Sequence, residues 1–169
     1  VVTEGGAYTA MGATALYLTG FYSCLPYRWP HYRFDGYRVY TNTAPTSALR
    51  GFGAPQAYFA GESMIDMIAE KLKMDPLELR RKNAVPPNYE VPGQAYIQSC
   101  GLKECYDEIE KYLKGRGKLP PHRGIGIGNY AFMSGGIFNW FNTPYAFAAA
   151  IVKINIDGKV DLFTGACDT

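Results

Sequence analysis

The chain has 169 residues, 47% of them hydrophobic and 19% charged, a balance that excludes a disordered segment. Its net charge of +2 gives no electrostatic case for a polyanionic partner, and no apolar run reaches the roughly 18 residues that a membrane helix needs. Four cysteines (Cys24, Cys100, Cys105, Cys167) make no C-x-x-C pair and no zinc-ligand spacing, so they read as free thiols in a reducing, cytoplasmic setting.

The first residues, Val1-Val2-Thr3-Glu4, carry neither an initiator Met nor a signal-peptide pattern, and the sequence reads as an internal piece of a longer polypeptide. Small and apolar residues predict a buried helix over Ala10 to Leu18, ended by Gly20. Alternation on both sides of Asp35-Gly36 predicts a β-hairpin from His31 to Thr41, with a type I′ turn. Residues 42 to 54, with Pro45, Gly51 and Gly53, read as loop.

From Pro55 a helix of about five turns is expected, with Ala57, Ala60, Gly61, Met64, Ile68 and Leu72 as its buried face. Asp75-Pro76-Leu77-Glu78 has the form of a capping box opening a short helix to about Asn83. Residues 84 to 101 read as an extended linker. A third helix is expected over Leu102 to Lys114, with Leu102, Cys105, Tyr106, Ile109 and Leu113 on one face and Gly115 as its cap. Asp107–Lys111 and Glu110–Lys114 are its i,i+4 pairs. Arg123 to Phe132 looks strand-like, and residues 148 to 163 make the strongest hairpin pattern, turning at Asp157-Gly158. The class is α+β, with a seam near residues 84 to 122.

Arg50-Gly51-Phe52-Gly53-Ala54-Pro55-Gln56 is the segment richest in chemistry. Its glycines admit close backbone approach, a helix start favours anionic oxygen, and arginine adds a planar fork of donors. The same residues also suit an ordinary loop-to-helix junction. Tyr27 to Phe34 interleaves bases with aromatics, but one such stretch in a nearly neutral chain is more simply arginine stems lying on rings than a nucleic-acid grip, and no nucleic-acid partner is expected. His31 and His122 lack metal or triad spacing, and Ser134 has no base near it in sequence.

The run Thr41-Asn42-Thr43-Ala44-Pro45-Thr46-Ser47-Ala48-Leu49-Arg50-Gly51-Phe52-Gly53-Ala54-Pro55-Gln56 closely resembles the signature loop of the molybdenum hydroxylases. This is the xanthine dehydrogenase and aldehyde oxidase family, with nicotinate dehydrogenase and 4-hydroxybenzoyl-CoA reductase. Asp75 to Asn83, Arg123-Gly124-Ile125-Gly126 and the closing hairpin follow in the family's order. The resemblance implies a fragment of the large subunit. Residues 1–83 would end one molybdopterin-binding domain, 84–101 would link, and 102–169 would start the next.

It also implies a molybdenum–molybdopterin cofactor that hydroxylates a small aromatic heterocycle or an aldehyde, or reduces an aryl-CoA. Iron–sulfur clusters and FAD would lie on other domains or subunits. By the same resemblance Arg50, Gly51 and Gly53 contact the cofactor, and Phe52 packs on the substrate ring. Met133, Ser134 and Gly135 form the opposite wall of the pocket, and Thr169 sits at the edge of the cofactor site. The base glutamate and the other cofactor loops fall outside these residues, so the isolated 169 residues are expected to be inactive. The arginine that purine enzymes carry upstream is not evident in Leu18-Thr19-Gly20-Phe21, nor is the second aromatic on the opposite wall, and both departures argue against purine. The alternative is a stand-alone binding domain of the same ancestry.

Overall fold

The structure is a computed structural model that describes residues 1–8, 11–91, 95–132 and 149–165. The chain forms two compact units, Val1–Phe132 and Met133–Thr169. Helices and strands are mixed, in the order β1 (Val2–Glu4), α1 (Gly12–Tyr22), β2 (Tyr37–Val39), α2 (Ala54–Leu72), α3 (Pro76–Asn83), β3 (Tyr89–Val91), β4 (Ala95–Ile97), α4 (Leu102–Gly115), β5 (Ala150–Ile154) and β6 (Val160–Thr164). None of the described helices is long and apolar enough to cross a membrane.

The expected hairpin over 31–41 does not form. β2 pairs in parallel with β1, in the register Val2↔Tyr37, Thr3↔Arg38 and Glu4↔Val39. Gly36 stays out of the left-handed region that a type I′ turn requires. It is small for another reason: a Cβ there would lie 2.8 Å from the Phe34 ring and 3.2 Å from Leu16. Phe34 folds back onto α1, where a Cβ on Gly20 would come within 2.6 Å of the same ring. Gly20 is therefore a packing contact inside the helix, and α1 continues past it to Tyr22.

α2 has the expected length, 19 residues, but it buries a different face. Its core stripe is Ala54, Ala57, Tyr58, Glu62, Ile65 and Ala69. Of the expected stripe only Ala57 is buried; Met64 and Leu72 are more than half exposed. The misleading residue is Glu62, whose charge argues against an inward face until its partner is known. α3 begins as expected: the Asp75 carboxylate accepts from the Leu77 N–H at 2.8 Å and the Glu78 N–H at 3.0 Å, satisfying two donors of the first turn. Leu79 packs toward α2 with Tyr27, Ile65 and Ala69, while Leu77 packs with Ala84 and Tyr106 of α4. α3 thus joins two apolar clusters.

Within 84–101, β3 and β4 form a short antiparallel ladder in place of a plain linker. α4 spans 14 residues and buries Tyr106, with Leu102, Ile109 and Leu113 beside it, but Cys105 is exposed. Glu110–Lys114 pairs as expected at 2.5 Å. Asp107 instead takes Arg81 of α3, and Lys111 pairs with Glu108. The C-cap is Arg116, with Gly115 as the last helical residue. Residues 123–132 form no strand and run as irregular chain. In the second unit β5 and β6 pair antiparallel from Ala150↔Thr164 to Ile154↔Val160, and Gly158 (φ 81°) closes the turn.

Candidate functional site

The signature loop leads into α2 through three consecutive residues with positive φ: Gly51 at 96°, Phe52 at 48° and Gly53 at 96°. Glycine is required at both flanks. A Cβ on Gly53 would lie 2.4 Å from the Ala15 carbonyl of α1, and one on Gly51 would lie 2.7 Å from the Pro55 ring. Phe52 is held in a conformation that costs a non-glycine residue about 1–3 kcal/mol, a kind of strain that clusters at ligand-binding sites. The Gly53 carbonyl accepts from the Thr19 hydroxyl at 3.3 Å, so α1 supports the loop from behind.

Upstream, Arg38 ties the exposed residues 42–50 to the sheet. Its guanidinium donates to the carbonyls of Gly5 (3.2 Å) and Thr46 (2.9 Å). The Thr46 hydroxyl donates to the Glu4 carbonyl. Arg50 itself is exposed, and its guanidinium has no partner among the described residues. The α2 start offers fewer donors than the sequence implies. The Ala54 N–H is bonded to the Gly51 carbonyl at 2.9 Å, and Pro55 has no N–H. Arg50 is left as the principal cation of this loop. Met133, Ser134, Gly135 and Thr169 lie outside the described residues.

The same unit holds a buried polar network, built on α2 and α3, that the sequence did not disclose. Arg80 is fully buried; its Nε donates to Glu62 at 2.9 Å and its Nη1 to Asp66 at 2.7 Å. The Tyr27 hydroxyl donates to the second Glu62 oxygen at 2.7 Å. Asn129 donates to the hydroxyls of Tyr27 (2.7 Å) and Tyr106 (2.5 Å), pinning the irregular segment to both neighbours. Burial works against the Arg80 cation, but its hydrogen bonds to Asp66 and Glu62 more than offset this and raise its pKa. The residue after Asn129, Tyr130, reaches the signature loop: a Cβ on Gly51 would meet its hydroxyl at 3.3 Å. The Tyr130 ring lies 5.0 Å from Tyr58 and is stacked with Phe132, and the Tyr58 hydroxyl donates to the Ala131 carbonyl at 2.8 Å.

The buried tyrosine hydroxyls, with the buried Cys24 thiol, are expected to make the fold sensitive to alkali. Burial pushes Cys24 up to about 11 and Tyr106 to about 12, and it raises Tyr27 and Tyr58 further. Each group holds its proton more tightly folded than unfolded. Its stabilisation is therefore complete below the unfolded pKa, about 8.5–10, and is lost as pH climbs through the folded value. Denaturant unfolding of the intact protein should show stability level to about pH 8 and falling steeply from pH 9 to 12. Constant stability over that range would mean these groups are solvated.

The molybdopterin cofactor-binding domain family matches residues 1–84. The xanthine dehydrogenase molybdenum-binding subunit of Escherichia coli O157:H7 is 31% identical over 180 aligned positions, covering 99% of this chain and 23% of that protein. The aldehyde oxidoreductase of Megalodesulfovibrio gigas is 37% identical over 145 positions, covering 82% of this chain and 15% of that one. The solved structure of the Desulfovibrio gigas aldehyde oxidoreductase superposes with a TM-score of 0.69 at 31% identity, over 95% of this chain and 18% of its own. The chain thus spans about a fifth of the length of the relatives it matches. The family match over residues 1–84, together with relatives similar in sequence and fold over nearly the whole chain, makes the chain a member of the molybdopterin cofactor-binding family of xanthine dehydrogenases and aldehyde oxidoreductases.

Proposed function

We propose that this chain is a segment of the molybdenum-cofactor subunit of a molybdenum hydroxylase, and that the loop Arg50-Gly51-Phe52-Gly53 contacts the cofactor. The observation that carries this reading is the loop itself. Two glycines at φ 96° fix a tight turn whose part-exposed Gly51 lies next to the exposed Arg50, whose guanidinium suits an anionic ligand. When bound, the molybdenum–pterin group supplies the hydroxylation of an electron-poor carbon with removal of two electrons. The protein's part is positioning. Arg50 holds anionic oxygen of the cofactor, Gly51 and Gly53 shape the loop that contacts it, and Phe52 offers an aromatic face to the substrate.

On the resemblance alone, Met133, Ser134 and Gly135 are assigned to the substrate pocket and Thr169 to the cofactor. Residues 1–83 belong to one molybdopterin-binding domain and 102–169 to the next, joined by 84–101; the family match over residues 1–84 supports that division. The substrate is an aldehyde or a small aromatic heterocycle, in keeping with the names of the relatives. Iron–sulfur and flavin domains or subunits carry the electrons away, in the cytoplasm.

The test is the mass and molybdenum content of the intact native polypeptide. A chain several times heavier than 18.7 kDa with about one molybdenum each is expected. Arg50→Ala should weaken cofactor retention by roughly tenfold or more, the loss of one charge-assisted hydrogen bond of about 1.5–3 kcal/mol. The isolated 169 residues should bind none. A metal-free intact wild-type chain would overturn the reading.

A further inference from the structure

We infer that Tyr130 is a further cofactor-binding residue, its hydroxyl donating to an oxygen of the molybdenum–pterin group held against Gly51. The inference rests on the reading of the Arg50–Gly53 loop as the cofactor contact. Its own support is independent of that loop's sequence. Tyr130 lies 79 positions from Gly51, yet its hydroxyl reaches the backbone of that glycine, 3.3 Å from where a Cβ would stand. The side chain is held in place on several sides. Its ring packs 5.0 Å from Tyr58, which is buried in the second turn of α2, and lies parallel to Phe132 at 6.4 Å with only 2° between the planes. The backbone on either side is anchored, Asn129 through its bonds to Tyr27 and Tyr106, and Ala131 by the Tyr58 hydroxyl.

A tyrosine so fixed would normally spend its hydroxyl on a protein acceptor when its surroundings are packed. This one is 58% exposed and has no hydrogen-bond partner among the described residues. The side chain thus presents a fixed, solvent-facing donor against the Gly51 backbone. A tyrosine hydroxyl gives one directional bond without adding charge, which suits a carbonyl or phosphate oxygen beside the Arg50 cation.

The test is Tyr130→Phe in the intact molybdenum-loaded subunit, which keeps the ring and its stacking. Molybdenum per chain after extensive dilution, and the rate of cofactor release, are the readouts. A three- to tenfold faster release at unchanged melting temperature and circular dichroism is expected, in keeping with one neutral hydrogen bond of about 0.5–1.5 kcal/mol. Release at the wild-type rate would overturn the inference. Arg50→Ala, run in parallel, separates the two ideas. If Arg50→Ala loses cofactor and Tyr130→Phe does not, only the tyrosine fails; if the wild-type subunit holds no molybdenum, the loop reading itself fails.

Discussion

Replacing Arg80 with methionine is expected to destabilise the protein by about 3–5 kcal/mol, the usual consequence of removing one partner of a buried ion pair. The guanidinium is fully buried and is the principal neighbour of the Glu62 carboxylate, which is itself only 12% exposed. Without it, Glu62 keeps one hydrogen bond, from Tyr27, and must either stay charged without a cation or take up a proton. Asp66 should suffer less, because half of its side chain is in water. The discriminating measurement is a double-mutant cycle. Glu62→Gln with Arg80→Met leaves no unpaired charge in the core, so the double variant should recover a substantial part of the loss. If the two single losses simply add in denaturant unfolding, the pair is not coupled and the account of the α2 face is wrong.

Gly53→Ala is the second large effect. The added methyl would meet the Ala15 carbonyl at 2.4 Å and the Thr19 nitrogen at 2.9 Å, both backbone atoms of α1 that cannot rotate away. The residue would also have to adopt a φ of 96°, a strain of about 1–3 kcal/mol. Overpacking against a helix backbone adds about 1–3 kcal/mol more. Relief requires the start of α2 to move off α1, carrying Phe52 and Arg50 with it. Both a lower melting temperature and a loss of molybdenum from the intact subunit are expected. Ala54→Gly at the next position adds no atom and serves as the control, expected to leave the loop in place. Wild-type stability in Gly53→Ala would show that the two helices are not in the contact described.

Local signals were legible where one short window contained both cause and effect. The Asp75-Pro76 cap and the length of α2 needed no distant residue, and neither did the hairpin at Asn155 to Lys159. The glycines of the signature loop were also visible as conformational requirements, although which atoms demand them was not. The resemblance supplied the family, and the matched relatives agree with it.

What the sequence alone left open was decided by partners far along the chain. Residues 31–41 carry a hairpin pattern, but the β2 edge is taken by β1, some 35 positions earlier, and Gly36 serves packing in place of a turn. The buried face of α2 contains a glutamate, which a hydropathy stripe assigns to water; Arg80 and Tyr27 reverse that by meeting its charge inside. Residues 123–132 alternate like a strand, yet Asn129 and Ala131 spend their polar groups on Tyr27, Tyr106 and Tyr58, and this sets Tyr130 beside Gly51. The sequence by itself determined the approximate helix spans, the Asp75 cap and the glycine pattern of the signature loop, because these follow from backbone conformation and nearest-neighbour spacing. Only the tertiary structure decided which helix face is buried and which aromatic reaches that loop, because hydrogen-bond partners and steric contacts between distant residues exist only once the chain has folded.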